Sequence, residues 1–266
     1  MSLDRNGPVA MGFNALVIAF MLAPLLVVCL VAFTPENTLT LPTTRLSLRW
    51  FRAVFAHPDM MQSFWNSIWL ALASASIATV LAVGGALAIT RYAFPGRDAL
   101  NALFLSPLII PHLVLGVAIL RLFSLIGATG SFVWLVLAHA VIVTPFAMRL
   151  VIAAVVGFDR STEQAALSLG ATQGTVFRRI TLPMILPGVT GGWLLAFINS
   201  FDEVTMSVFV TAPATVTLPV RMYMYATESI DPLMAAVSAL MVGLTAVAML
   251  LLDRVYGLDK VLVGNK

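Results

Sequence analysis

Six long apolar stretches decide most of what this chain can become. They run over about 11–33, 64–90, 99–123, 131–156, 185–210 and 233–252, and the second and sixth hold no charged residue. A bilayer core takes roughly 20 apolar residues per helix, so each stretch is long enough to cross. None alternates apolar and polar with a period of two, which excludes a barrel and leaves helices as the only spanning structures. Charged residues are 10% of the chain and apolar ones 60%, against roughly 25% charged in soluble domains. The expectation is an all-α polytopic membrane protein with six transmembrane helices, one domain over 1–266, undivided by repeat or linker.

The formal charge of +3 comes from basic residues scattered among the loops, so no basic face for nucleic acid is expected. No G-x-x-x-x-G-K-[ST] phosphate loop, H-E-x-x-H or C-x-x-C is present, so no catalytic residue, metal ligand or bound cofactor is assigned. Cys29 stands alone, and His112 and His139 have no carboxylate or cysteine at ligand spacing. With the amino terminus inside, ten Lys and Arg fall on the inner side (Arg5, Arg91, Arg97, Arg149, Arg160, Arg178, Arg179, Arg254, Lys260, Lys266) and five outside. That asymmetry puts both termini in the cytoplasm, and with them the polar loop 158–183.

This loop is the longest polar interruption in the last two-thirds of the chain. Ser161 can cap a helix with Gln164 closing a capping box, and Gly170 stands where a left-handed stop belongs. Thr172 can cap a second short helix, which Pro183 is expected to end. Ala165 and Ala166 leave the backbone open to close approach by a partner; a membrane-surface helix with no partner fits the composition equally well.

The spacing of Ala165-Ala166, Gly170 four residues on, Ile180 ten after that, then Leu182-Pro183 resembles the EAA loop of ABC-importer permeases. The family's glutamate slot holds Gln164, with Glu163 just before it. A carboxylate contact to an ATPase must therefore come from Glu163, or the contact is a hydrogen bond from Gln164. Asn66-Ser67, the Pro107/Pro111 segment, Ala138-His139, the run from Phe158 to Pro187 and Phe201-Asp202-Glu203 extend the resemblance across nearly the whole chain. It looks most like the second permease of spermidine/putrescine-type importers. The resemblance implies a type I importer permease fold in a bacterial inner membrane, with a cytoplasmic coupling helix. It implies a related second permease, as heterodimer or homodimer, a cytoplasmic ABC ATPase dimer that holds ATP and Mg, and an external solute-binding protein.

Two spans carry unusual residues. Pro107 and Pro111 remove amide donors and break the third; the break can line a pathway or be a packed kink. The fifth contains Asn199, Asp202 and Glu203, costly inside a bilayer. Adjacent helical residues point about 100° apart, so one acid can line the path while the other bonds a neighbouring helix, or both can staple helices. Acids on a path favour a cationic solute such as a polyamine. An ion-coupled transporter or channel using Asp202 and Glu203 is the alternative. In the outer loop 34–63, Ser47 can cap an interfacial helix with Leu48, Phe51, Val54 and Phe55 on its apolar side.

Overall fold

The structure, a computed structural model, describes residues 7–42 and 45–256; Arg5, Lys260 and Lys266, counted in the charge asymmetry, lie outside the described residues. Among the described residues every regular element is helical. In chain order they are α1 (Pro8–Val31), α2 (Arg49–Ala56), α3 (Pro58–Arg91), α4 (Arg97–Leu105), α5 (His112–Leu125) and α6 (Phe132–Val156). Then come α7 (Ser161–Ser168), α8 (Gln173–Val176), α9 (Leu182–Phe201), α10 (Ser207–Val210), α11 (Leu218–Glu228) and α12 (Leu233–Tyr256).

Four helical runs are long and apolar enough to cross a membrane: Pro8–Val31, Pro58–Arg91, Phe132–Val156 and Gln173–Phe201. Arg97–Leu108 and His112–Leu125 meet at 101° and make a fifth if taken as one broken span. The break follows from the two prolines. Pro107 is the second residue of a single 3-10 turn, Ser106–Leu108, and Pro111 occupies the position before α5, where its missing amide costs nothing. In α12 the apolar segment described is Leu233–Val247; side chains over the rest of the sixth expected stretch lie outside the described residues.

Two boundaries differ from expectation. Pro183 does not end the helix of the loop: a π turn over Phe177–Thr181 leads straight into α9, with Pro183 in its first turn. The proline ring crowds the carbonyl four residues back, and the wider turn ahead of it accommodates that crowding. The fifth span also stops early. It ends at Phe201, and a separate four-residue helix, α10, follows after Met206.

The described chain divides into two compact units. One comprises residues up to 61 together with 224–256. In it, α12 packs on α1 and α2, while α1 leaves almost its whole apolar surface exposed. The loop before α2 is tied down by Arg49, whose Nη2 donates to Asn37 Oδ1 at 2.6 Å, and by Trp50 Nε1, which donates to the Glu36 carbonyl at 3.1 Å. Trp50 and Val54 are the buried side of α2, and Leu48 and Phe55 are exposed, so the inward face is rotated from the one expected. Ser47, expected as the cap, stands one residue ahead of the cap position, Leu48, and its Oγ accepts from the Arg49 amide at 3.2 Å.

Residues 62–223 form the other unit. Its core is built from small side chains. Ala71, Ala75, Ala78, Ala82 and Ala86 are fully buried along one stripe of α3, at spacings of four, three, four and four residues. α6 and α9 approach closest where both lack bulk. A Cβ on Gly192 would lie 3.1 Å from Ala147 Cα, and one on Gly188 2.9 Å from the Leu150 carbonyl oxygen. Close backbone contact through small residues is what brings helices together in lipid, where apolar burial gives little drive.

Candidate functional site

Two polar places stand out in this unit, one in the loop 158–183 and one where α9 stops. The helix of the loop starts one residue earlier than a Ser161 cap requires, and no side chain caps it from the cap position, Arg160. Asp159 accepts the Ser161 amide at 2.9 Å and the Ser161 hydroxyl at 2.6 Å, so Ser161 is the first helical residue and Arg160 the cap position. The hydroxyl bond first, then the amide bond, hold the Asp159 carboxyl below its ordinary value. The stop is the one expected: Gly170 has φ +88°, its amide bonds the Leu167 carbonyl, and the Ala171 amide bonds the Ala166 carbonyl. This is a Schellman closure. A Cβ on Gly170 would touch nothing within 4 Å, so the glycine is required by backbone conformation and not by space. Thr172 then caps α8 by accepting from the Thr175 amide at 3.3 Å.

Within α7 the two neighbouring polar residues part company. Glu163 is buried, ion-paired with Arg91 Nη2 at 2.7 Å, and accepts the Thr181 hydroxyl. Arg91 ends α3 and Thr181 closes the π turn before α9, so one carboxylate ties α7 to two long helices. Gln164 and Ala165 are exposed and Ala166 half-buried. Leu169 stands almost free, 89% exposed. Ile180 and Leu182 are half-buried and Pro183 exposed where the loop re-enters the long helix. A cleft of about 470 Å³ opens beside them, lined among others by Arg91, Arg160, Gln164 and Phe177. Arg91 and Thr181 had no signal of their own in the sequence, since a partner so distant in the chain shares no spacing with Glu163.

At the end of α9 the same division recurs. Asp202 is the helix's C-cap and is exposed. Glu203, past the helix end, is buried; its Oε1 accepts the Met206 amide at 2.7 Å and its Oε2 pairs with His112 Nδ1 at 2.7 Å. His112 directly follows Pro111, so this pair joins the break in the third stretch to the break in the fifth. Pro107, four residues before Pro111, is buried, and Asn199 spends its amide on the Leu195 carbonyl at 2.8 Å. The 100° separation expected of Asp202 and Glu203 is superseded by a simpler cause: the helix ends at Phe201, with Asp202 its cap and Glu203 beyond it. Asn66 and Ser67 hold the chain that follows. Asn66 Nδ2 donates to the carbonyls of Ala214 and Val216, each at 3.0 Å, and Ser67 Oγ accepts the Leu218 amide at 2.7 Å.

Residues 80–258, which contain both places, match the family described as binding-protein-dependent transport system inner membrane component. The chain belongs to that family. The permease is 30% identical over 233 residues to the spermidine/putrescine transport system permease protein PotC of Haemophilus influenzae, covering 88% of this chain and 90% of that one. It is 31% identical over 231 residues to the putrescine transport system permease protein PotI of Escherichia coli K12, covering 84% and 82%. In fold, the permease superposes on a chain of a bacterial ABC transporter involved in alginate import with a TM-score of 0.74, at 13% identity, covering 94% and 96%. It is a multi-pass membrane subunit of a transport system.

Proposed function

We propose that this permease forms half of the translocation path of an ATP-driven importer for a small organic cation of the polyamine class. Six crossings place both termini and the loop 158–183 in the cytoplasm, and α7 is the coupling helix that a separate ATPase dimer engages. A related second permease completes the path, and an external binding protein delivers the solute. The polyamine class is supported by the names of the relatives and by Asp202, an exposed carboxylate at the end of a spanning helix.

One observation carries the coupling role: α7 is held from behind and bare in front. Glu163 is spent on Arg91 and Thr181, so it is not the residue that meets an ATPase. The outward surface is Gln164, Ala165 and Leu169, and the contact at the motif's acid slot is a hydrogen bond from Gln164. A push on α7 passes through Glu163 to the end of α3 and to the start of α9. From there α9 reaches Asp202 over 20 residues, about 30 Å along a helix. An ion-coupled transporter would need Glu203 as well as Asp202, and both Glu203 oxygens are already engaged.

The test is Gly170→Leu in the complex reconstituted with its ATPase, sister permease and binding protein. A bulky residue at φ +88° is strained by about 1–2 kcal/mol, enough to unwind the closure of α7. The expected result is loss of solute-stimulated ATP hydrolysis with membrane insertion retained. Normal stimulation would count against α7 as the coupling element, and uptake that survives ATP depletion would count against ATP drive altogether.

A further inference from the structure

His139, two turns into α6, is fully buried and serves neither the loop nor the acids described above. Its Nδ1 lies 2.9 Å from Ser200 Oγ and its Nε2 3.0 Å from Ser207 Oγ. Ser200 is the second-last residue of α9 and Ser207 the first of α10. One ring therefore reaches across the gap 202–206 and holds both of its edges.

The direction of every hydrogen bond in this chain can be worked out from its far end. Ser74 Oγ donates to the Leu70 carbonyl at 2.7 Å, so its single hydroxyl proton is committed. At 2.8 Å from Ser74 Oγ, Ser200 must then be the donor. With its own proton given away, Ser200 accepts, and His139 Nδ1 carries the proton that it accepts. Nε2 is left with a lone pair, and the Ser207 hydroxyl donates to it. An uncharged imidazole has one donor and one acceptor nitrogen, and both are satisfied. Ser74, Ser200 and Ser207 are each at most 2% exposed. A buried polar network with every member paired rigidifies what it joins.

The facing helix is equally close. A Cβ on Gly116 of α5 would lie 2.9 Å from the Phe209 ring and 3.1 Å from Met206 Cα, and His112 of the same helix pairs with Glu203. We infer that His139 is a positioning residue for transport: its uncharged ring ties Ser200 to Ser207 and makes the gap between α9 and α10 a rigid joint, not a hinge, that presents Asp202 to the solute. The inference rests on Asp202 lining the path, and His139 itself never touches the solute.

The experiment measures spermidine and putrescine uptake in proteoliposomes holding the whole transporter with His139→Leu, His139→Gln, Ser207→Ala or Asp202→Asn. A glutamine amide retains one donor and one acceptor. The expected result is a KM raised about tenfold in His139→Leu and Ser207→Ala with little change in maximal rate, and a KM largely restored in His139→Gln. An unchanged KM in assembled Ser207→Ala and His139→Leu overturns the inference. Failure of both to assemble also overturns it, because the ring is then a requirement of folding and not of solute affinity. If Asp202→Asn leaves KM unaltered, the path reading itself is wrong; if only Asp202→Asn raises it, the path stands and the joint falls.

Discussion

The loop at 161–164 and the gap at 202–206 solve one problem with different chemistry. Each carries two adjacent polar residues, Glu163-Gln164 and Asp202-Glu203, and in each a glutamate turns inward as a fastener while its neighbour faces out. Glu163 is fastened by Arg91, whose charge is permanent, and by the Thr181 hydroxyl. Glu203 is fastened by the His112 ring and a backbone amide. A guanidinium has no uncharged form at working pH, so the loop's joint always keeps its cationic member. That would suit the coupling role proposed for α7, in which force has to pass without slipping. The gap combines one such long-range pair, Glu203 with His112, with a bond inside the turn itself, from the Met206 amide to Glu203 Oε1.

The largest expected effect breaks this comparison on the loop side. Glu163→Ala leaves the Arg91 guanidinium half-buried without its partner, a loss of about 3 kcal/mol, and detaches α7 from α3 and α9. Denaturant unfolding of the purified complex should show that loss, and ATP hydrolysis should no longer respond to solute. Gln164→Ala should leave stability within about 0.5 kcal/mol and weaken coupling alone. Equal destabilisation by the two substitutions would mean that the inward and outward roles are not divided as described.

On the gap side, Glu203→Gln keeps an acceptor for the Met206 amide and a partner for His112, so a cost of about 1 kcal/mol is expected. Glu203→Leu leaves that amide without its acceptor and should cost more, read by the same unfolding curve. Should Glu203→Gln prove as damaging as Glu163→Ala, the charge and not the bonding geometry holds the gap.

The smallest effect concerns the Asp159 bonds at the start of α7. Asp159→Ala should fray only the first turn of α7, seen as faster hydrogen exchange at the Ser161 amide with uptake nearly intact. The sign of its pH dependence follows from the lowered carboxyl. The contribution of these bonds is fully present above the ordinary carboxylate value of 3.8 and fades as pH falls through the lowered one. Exchange at this amide should therefore be flat with pH, after correction for intrinsic rate, until strongly acid conditions.

Much of the fold was legible because its causes are local. Pro107 and Pro111 break the third stretch wherever it is packed, and the turn at Gly170 needs only a residue that tolerates positive φ. Other readings failed for equally physical reasons. Ser161 and Asp159 can both accept from a free amide, and here Asp159 accepts from the Ser161 amide while Ser161 is already the first helical residue. Pro183 in isolation ends a helix; the π turn before it made room for the ring. The stripe of alanines on α3 was present in the sequence as a regular spacing of small residues, but such a stripe says nothing about which helix it meets.

What the chain determined by itself is that it must be helical, where those helices bend, and that one polar loop interrupts the apolar run, because chain length, proline, glycine and apolar content act through nearest neighbours. Only the tertiary structure decided that Glu163 and Glu203 turn inward while Gln164 and Asp202 turn out, and that His139 joins the edges of a gap. Adjacent side chains leave the backbone in different directions, and which direction is the interior depends on partners such as Arg91, His112 and Ser74, brought close only by packing.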